Sequence, residues 1–210
     1  MSGRRATPFA RGEQQIRQRI IQETARIMAE DGVQDFALAK RKAAARLNLG
    51  DNQHLPSNRE IEAALAEYLQ LFHADTLQQT LRAQLTTASE ALQQLARFEP
   101  RLVGPLLTGL ATPYSEVTLL VHADVPEQVA AFLLEHGIPH ETSNRRVRFG
   151  GDRFEQATVF QFIAGEIPVE ITVLPVAAQR EAPLSPVDGL PMKRATQRDV
   201  EQLLAALPRR

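Results

Sequence analysis

RLVGPLLTGLATPYSEVTLLVHAD, residues 101–124, marks a change of period in the chain. Val117, Leu119 and Val121 alternate with Thr118, Leu120 and His122, as a strand with two distinct faces would. Pro126 then opens PEQVAAFLLEHG, a helix that tolerates proline in its first turn and stops at Gly137. Downstream, Arg145–Phe149 and Ala157–Ala164 read as strands around the Gly150-Gly151 turn, and PVEITVLP (168–175) as another alternating strand. A proline-rich stretch, 183–191, leads to Thr196, which caps a last helix through Val200, Leu203, Leu204 and Leu207. Strands and helices in this order predict a mixed sheet with helices packed on it.

Before residue 100 the pattern is helical. Residues 1–99 hold one valine, Val33, against twelve in 100–210; prolines number two and eleven. Alanine and straight-chain residues favour helices, and β-branched residues favour strands. Ile16, Ile20 and Ile27 share a helical face that ends near Asp31-Gly32; Phe36, Ala39, Ala43 and Leu47 mark a second helix, with Gly50 as a stop signal. Ser57-Asn58-Arg59-Glu60 is a capping box opening a third, with the stripe Ile61, Leu65, Tyr68 and Phe72. Leu77, Leu81, Leu85, Ala88, Leu92 and Leu95 form a fourth, closed by Pro100. The expected fold class is α+β: a helical domain over 1–99, then a small mixed-sheet α/β domain over 100–210 that includes the C-terminal helix.

The chain has 210 residues, with 24 Lys plus Arg against 25 Asp plus Glu, a net charge of -1. That balance argues against a globally basic nucleic-acid binder but permits a local basic patch. The absence of cysteine excludes disulfides, thiolate metal sites and a cysteine nucleophile. No apolar run approaches the roughly 18 residues of a membrane span, and the polar start lacks a secretory pattern, so a cytoplasmic protein without a membrane partner is expected. The five histidines (His54, His73, His122, His136, His140) show no metal-ligand spacing. GxSxG, P-loop and GxGxxG motifs are absent.

Glu116 and Thr118 are two apart and leave one face of their strand, while Glu170 is the polar member of an apolar strand. If the strands are neighbours, two carboxylates meet near a glycine turn, a setting for a hard divalent cation and a phosphate.

From about residue 98 to 175 the chain resembles the minimal nucleotidyltransferase superfamily, which includes DNA polymerase beta. That family carries an apolar residue, Gly, then Gly or Ser, a short spacer, an Asp-apolar-Asp strand and a third acid on a later strand. Val103-Gly104-Pro105 stands at the first element, ten residues follow, Glu116-Val117-Thr118-Leu119 stands at the carboxylate strand, and Glu170 falls at the third acid. ALAKRKAAARL, residues 37–47, also resembles helical regions that precede such domains in bacterial proteins. The resemblance implies catalytic and metal roles for Glu116 and Glu170 with Mg2+. It also implies a nucleotide-binding set of Gly104, Pro105, Gly109, Ser115, Thr118, Arg146 and Arg148. Two departures weaken catalysis: Thr118 is a poor ligand for a hard cation, and Pro105 has neither hydroxyl nor N–H for phosphate. Losing one charge-stabilising group from an active site commonly costs about 2.7–4 kcal/mol of transition-state stabilisation. The expectation is a degenerate site binding a nucleotide or nucleic acid without efficient chemistry. The alternative is an active metal-dependent nucleotidyltransferase moving a nucleoside monophosphate to an unknown acceptor. A third reading makes the helical part a DNA-binding or dimerisation module, through which a homo-oligomer could form.

Lys40, Arg41, Lys42 and Arg46 crowd one helix and could grip a nucleic-acid backbone or simply form a solvated face. Arg146 and Arg148 alternate on a strand, where they could line a phosphate groove or guard a sheet edge with charge.

Overall fold

The structure, a computed structural model, describes residues 8–49, 55–110 and 112–208. Gly50, expected to stop the second helix, and His54 lie outside the described residues. The chain forms two compact units, Met1–Ala74 and Asp75–Arg210.

In the first unit, α1 (Pro8–Glu30) packs against α2 (Phe36–Arg46) and α3 (Asn58–Phe72). Ile20 and Ile27 are fully buried along α1, and Ala39 and Ala43 are the buried face of α2. Two caps fix the helix starts. Asp35 accepts from the Leu38 N–H at 2.6 Å, and Ser57 and Glu60 form the reciprocal capping box expected for α3. The buried stripe of α3 is Ile61, Leu65 and Leu69; Phe72 is 68% exposed and stacks beside Tyr68. Strict i, i+4 spacing selects Leu69, which the stripe drawn through Tyr68 and Phe72 passed over.

The second unit is built on a five-stranded sheet in the order β1 (Arg101–Val103), β2 (Val117–His122), β5 (Ile167–Leu174), β4 (Phe154–Ala164), β3 (Glu141–Arg148). The β2–β5 pair is parallel and the other neighbours are antiparallel. Alternation then divides the side chains between two faces. One face carries Val117, Leu119, Val121, Val169, Ile171 and Val173, all buried. It is covered by α4 (Ala74–Gln94), α5 (Glu127–Glu135) and α6 (Gln197–Ala206), which contribute Leu85, Leu92, Val129, Phe132 and Val200 to the same core. The α4 leucines thus belong to the sheet unit, so the packing boundary falls at residue 74/75 and not at the compositional boundary near 99. Valine enters the sequence where strands begin, whereas the packing unit begins one helix earlier. A 3-10 turn, Ala96–Phe98, follows α4, and Glu99 turns the chain with a left-handed backbone before β1.

On the opposite face, Leu120, Val147, Ala157 and Leu174 join Val103, Phe149 and Ala178 in a smaller apolar cluster, with Met192 packed against it. The segment after β5 spans the sheet. Leu184 donates its N–H to the Arg148 carbonyl of β3, and Ala195 exchanges two backbone hydrogen bonds with Leu102 of β1. It therefore ties together two strands at opposite edges. A capping box of Thr196 and Asp199 then starts α6, as expected.

Candidate functional site

The start of β2 is held by a buried turn. Ser115 Oγ accepts from the Thr112 N–H at 3.0 Å, and Gln84 of α4 donates to the carbonyls of Thr112 (2.8 Å) and Ser115 (3.0 Å). Ser115 is buried and its hydroxyl is engaged in this turn; a role on a nucleotide is not where its geometry points. The turn anchors the residue that follows. Glu116 emerges half-buried, one position before β2.

Across the parallel pair, Thr118 and Glu170 are direct register partners, and across β1–β2 Thr118 pairs with Val103. Gly104 then turns away with φ +87 and ψ -163, a conformation that excludes most residues with a side chain. A Cβ built there would stand 3.8 Å from Thr118 Cβ and Oγ1. Pro105 opens the 3-10 turn Pro105–Thr108, and Gly109 ends it in the left-handed region. Glu116, Thr118, Glu170 and the Gly104-Pro105 bend are therefore brought together at the start of β2 and the middle of β5.

A residue that sequence reasoning passed over completes the cluster. Arg145 of β3 donates from Nη1 to Glu170 Oε1 at 2.5 Å and from Nη2 to Oε2 at 2.6 Å. Gln161, the β4 register partner of Glu170, adds a donor to Oε2 at 3.2 Å. The Glu170 side chain is 3% exposed and that of Arg145 is 51% exposed. The guanidinium thus caps a buried carboxylate from the solvent side. Glu116 has its carboxyl pushed above the usual range, first by burial and then by the nearby Glu170 charge, with Arg145 opposing the shift.

Arg146 and Arg148, read from the sequence either as lining a phosphate groove or as charge on a sheet edge, leave the other face of the edge strand β3. Register pairs Arg145 with Ala157 and Val147 with Glu155, so the arginines on either side of Val147 point away from Glu170. Arg146 lies over the Phe154 ring at 3.8 Å, and Arg148 pairs with Asp152 at 2.7 Å. Both stabilise the end of the β3–β4 hairpin. The available signal was Val147: a lone apolar residue in RRVR marks the covered face, and Arg145 shares it.

His122 is at the far end of β2 from Glu116. It is 5% exposed, its Nδ1 lies 3.4 Å from the Glu99 carbonyl oxygen, and burial holds its pKa below the ordinary histidine value. It takes no part in the cluster.

A hard divalent cation needs carboxylate oxygens free to turn toward it. Both Glu170 oxygens are engaged by Arg145, Thr118 carries no charge, and burial and the Glu170 charge both disfavour ionisation of Glu116. The residues in this arrangement do not fit the Mg2+ that the resemblance implies.

The basic cluster of α2 is dispersed. Arg46 is bound to Asp31 at 2.6 Å and Glu23 at 3.3 Å, and Lys40 is half-buried, with burial lowering its pKa. Arg41 and Lys42 remain as the exposed pair.

No protein-family model and no curated protein matches the chain. Among the described residues, no helix is long and apolar enough to cross a membrane.

Proposed function

We propose that the second unit is a nucleotidyltransferase-like domain with a degenerate site, which binds a nucleotide or nucleic acid without efficient transfer chemistry. The observation that carries this reading is the pairing of Thr118 with Glu170 on adjacent parallel strands, directly beside the Gly104 bend. This is the relation the family resemblance calls for, with a neutral residue at one acidic position. Thr118 and Pro105 are the reasons transfer is inefficient. The open edge of the Arg145 guanidinium and the Gly104 turn supply polar groups for a phosphate.

Titration calorimetry with ATP, CTP, GTP and UTP, paired with a labelled-transfer assay on RNA, tests the reading. Binding of at least one nucleotide, weakened by Gly104→Val and without measurable transfer, is expected. Transfer that Glu116→Ala abolishes would establish the active enzyme instead. Absence of binding to any nucleotide or to RNA would leave the domain as a scaffold.

A further inference from the structure

We infer that the Arg145 guanidinium replaces the divalent cation at this site, so that the carboxylate cluster takes its phosphate-bearing ligand without metal. The ligand class rests on the nucleotide reading above; the replacement itself rests on geometry. Glu170 is a buried anion, and such a group persists only when paired. In a metal-dependent site the pairing charge comes from the ion. Here it comes from a side chain two strands away, whose two nitrogens meet the two carboxylate oxygens separately.

The pairing is specific in its reach. Glu141, Gln161 and Glu170 are aligned across β3, β4 and β5, and Arg145 is four residues along β3 from that line. Its side chain therefore crosses the sheet face diagonally to arrive at Glu170, where a residue at position 141 would meet Gln161 first. A planar fork suits two oxygens in a way a lysine ammonium does not. A cation approaching Glu116 and Glu170 would have to displace both contacts and also meet the positive charge of Arg145. With half of the Arg145 side chain in solvent, the guanidinium also presents a face to an incoming anion.

Mn2+ alone, titrated into the full chain at neutral pH, is the probe. The wild-type chain is expected to show no Glu170-dependent site. Arg145→Gln retains a donor to Glu170 but removes the charge, and should gain a one-to-one Mn2+ site that wild type lacks. Adding Glu170→Gln should remove it. Wild-type Mn2+ binding that depends on Glu170, or a folded Arg145→Gln variant that gains nothing, overturns the inference. Should that variant not fold, Arg145→Lys covers one oxygen with one ammonium and should show a Glu170-dependent Mn2+ site that wild type lacks; its absence overturns the inference. ATP titrated in EDTA and again in Mg2+ separates the two readings. Equal affinity supports the inference, and Mg2+-dependent affinity overturns it. Failure of ATP to bind in both falls on the nucleotide reading, and the Mn2+ result then decides the role of Arg145.

Discussion

Where β2 and β5 finish, this face carries Leu120 and Leu174, each paired in register with a buried polar side chain, Thr172 and His122, and joined to Ala178 and Met192 in an apolar cluster. At the start of β2 and the middle of β5, that face carries Thr118 and Glu170, direct partners in register. Backbone pairing is continuous from one end to the other, so the sheet itself does not require the change. Burying a carboxylate costs several kcal/mol unless it is charged-paired and hydrogen-bonded, while burying a leucine contributes about 1.5–3 kcal/mol. Thr172 and His122 are neutral polar groups, whereas Glu170 is a buried carboxylate, and Arg145 with Gln161 is what makes it tolerable.

The apolar end should be the more sensitive of the two. Leu174 is 1% exposed, and Leu174→Ala should lose about 2–5 kcal/mol in chemical denaturation followed by circular dichroism. Arg145→Ala should cost less, about 2 kcal/mol: it strips both contacts from Glu170, but half of the arginine was already solvated. A sharper form of the comparison replaces both partners. Arg145→Met with Glu170→Met should recover the stability lost in Arg145→Ala, because a packed apolar pair has no charge to desolvate. A double variant less stable than Arg145→Ala would show that the ion pair contributes to folding as much as the leucines do.

Gly104→Ala should follow at about 1–2 kcal/mol. Space is not the cause, since the added carbon would meet Thr118 at 3.8 Å, an ordinary contact. The cost is the backbone, held at φ +87. Hydrogen exchange should place the effect at the β1–β2 end and leave Leu174 unchanged.

The same comparison explains what could be read from sequence. Alternation in 117–122 and 168–175 located both strands, and the capping box at Ser57 and the cap at Thr196 located two helix starts, because these signals are local. Membership of α4 in the sheet unit was hidden, since a leucine stripe states that a face is buried and not against what. The shared face of Glu116 and Thr118 was legible from the strand period, whereas their meeting with Glu170 depended on β2 and β5 being neighbours. Arg145 was missed for a related reason. In NRRVR a shift of one residue moves the charge to the other face, and the pairing with Glu170 depends on a register between strands far apart in the chain. The cluster on α2 shows the same limit: Arg46 is counted with Lys40 and Lys42 along the helix, yet its partners, Glu23 and Asp31, come from α1 and the residue after it.

The smallest expected effect tests the electrostatics of the polar end directly. Burial and Glu170 raise the Glu116 pKa above its ordinary 4.5, so between the unfolded and folded values the folded chain binds more protons at this group than the unfolded chain does. Stability from this group is complete below about pH 4.5 and is lost as pH rises through the folded value. Glu116→Gln fixes the neutral state at every pH. The variant should match wild type at pH 4 and exceed it at pH 7 by less than about 1 kcal/mol, since the group is half in water. Equal stability at both pH values would mean that Arg145 offsets both the burial and the Glu170 charge that raise the Glu116 pKa. A deficit at pH 7 would mean that the ionised Glu116 shares the guanidinium with Glu170, which would place both carboxylates under the same built-in cation.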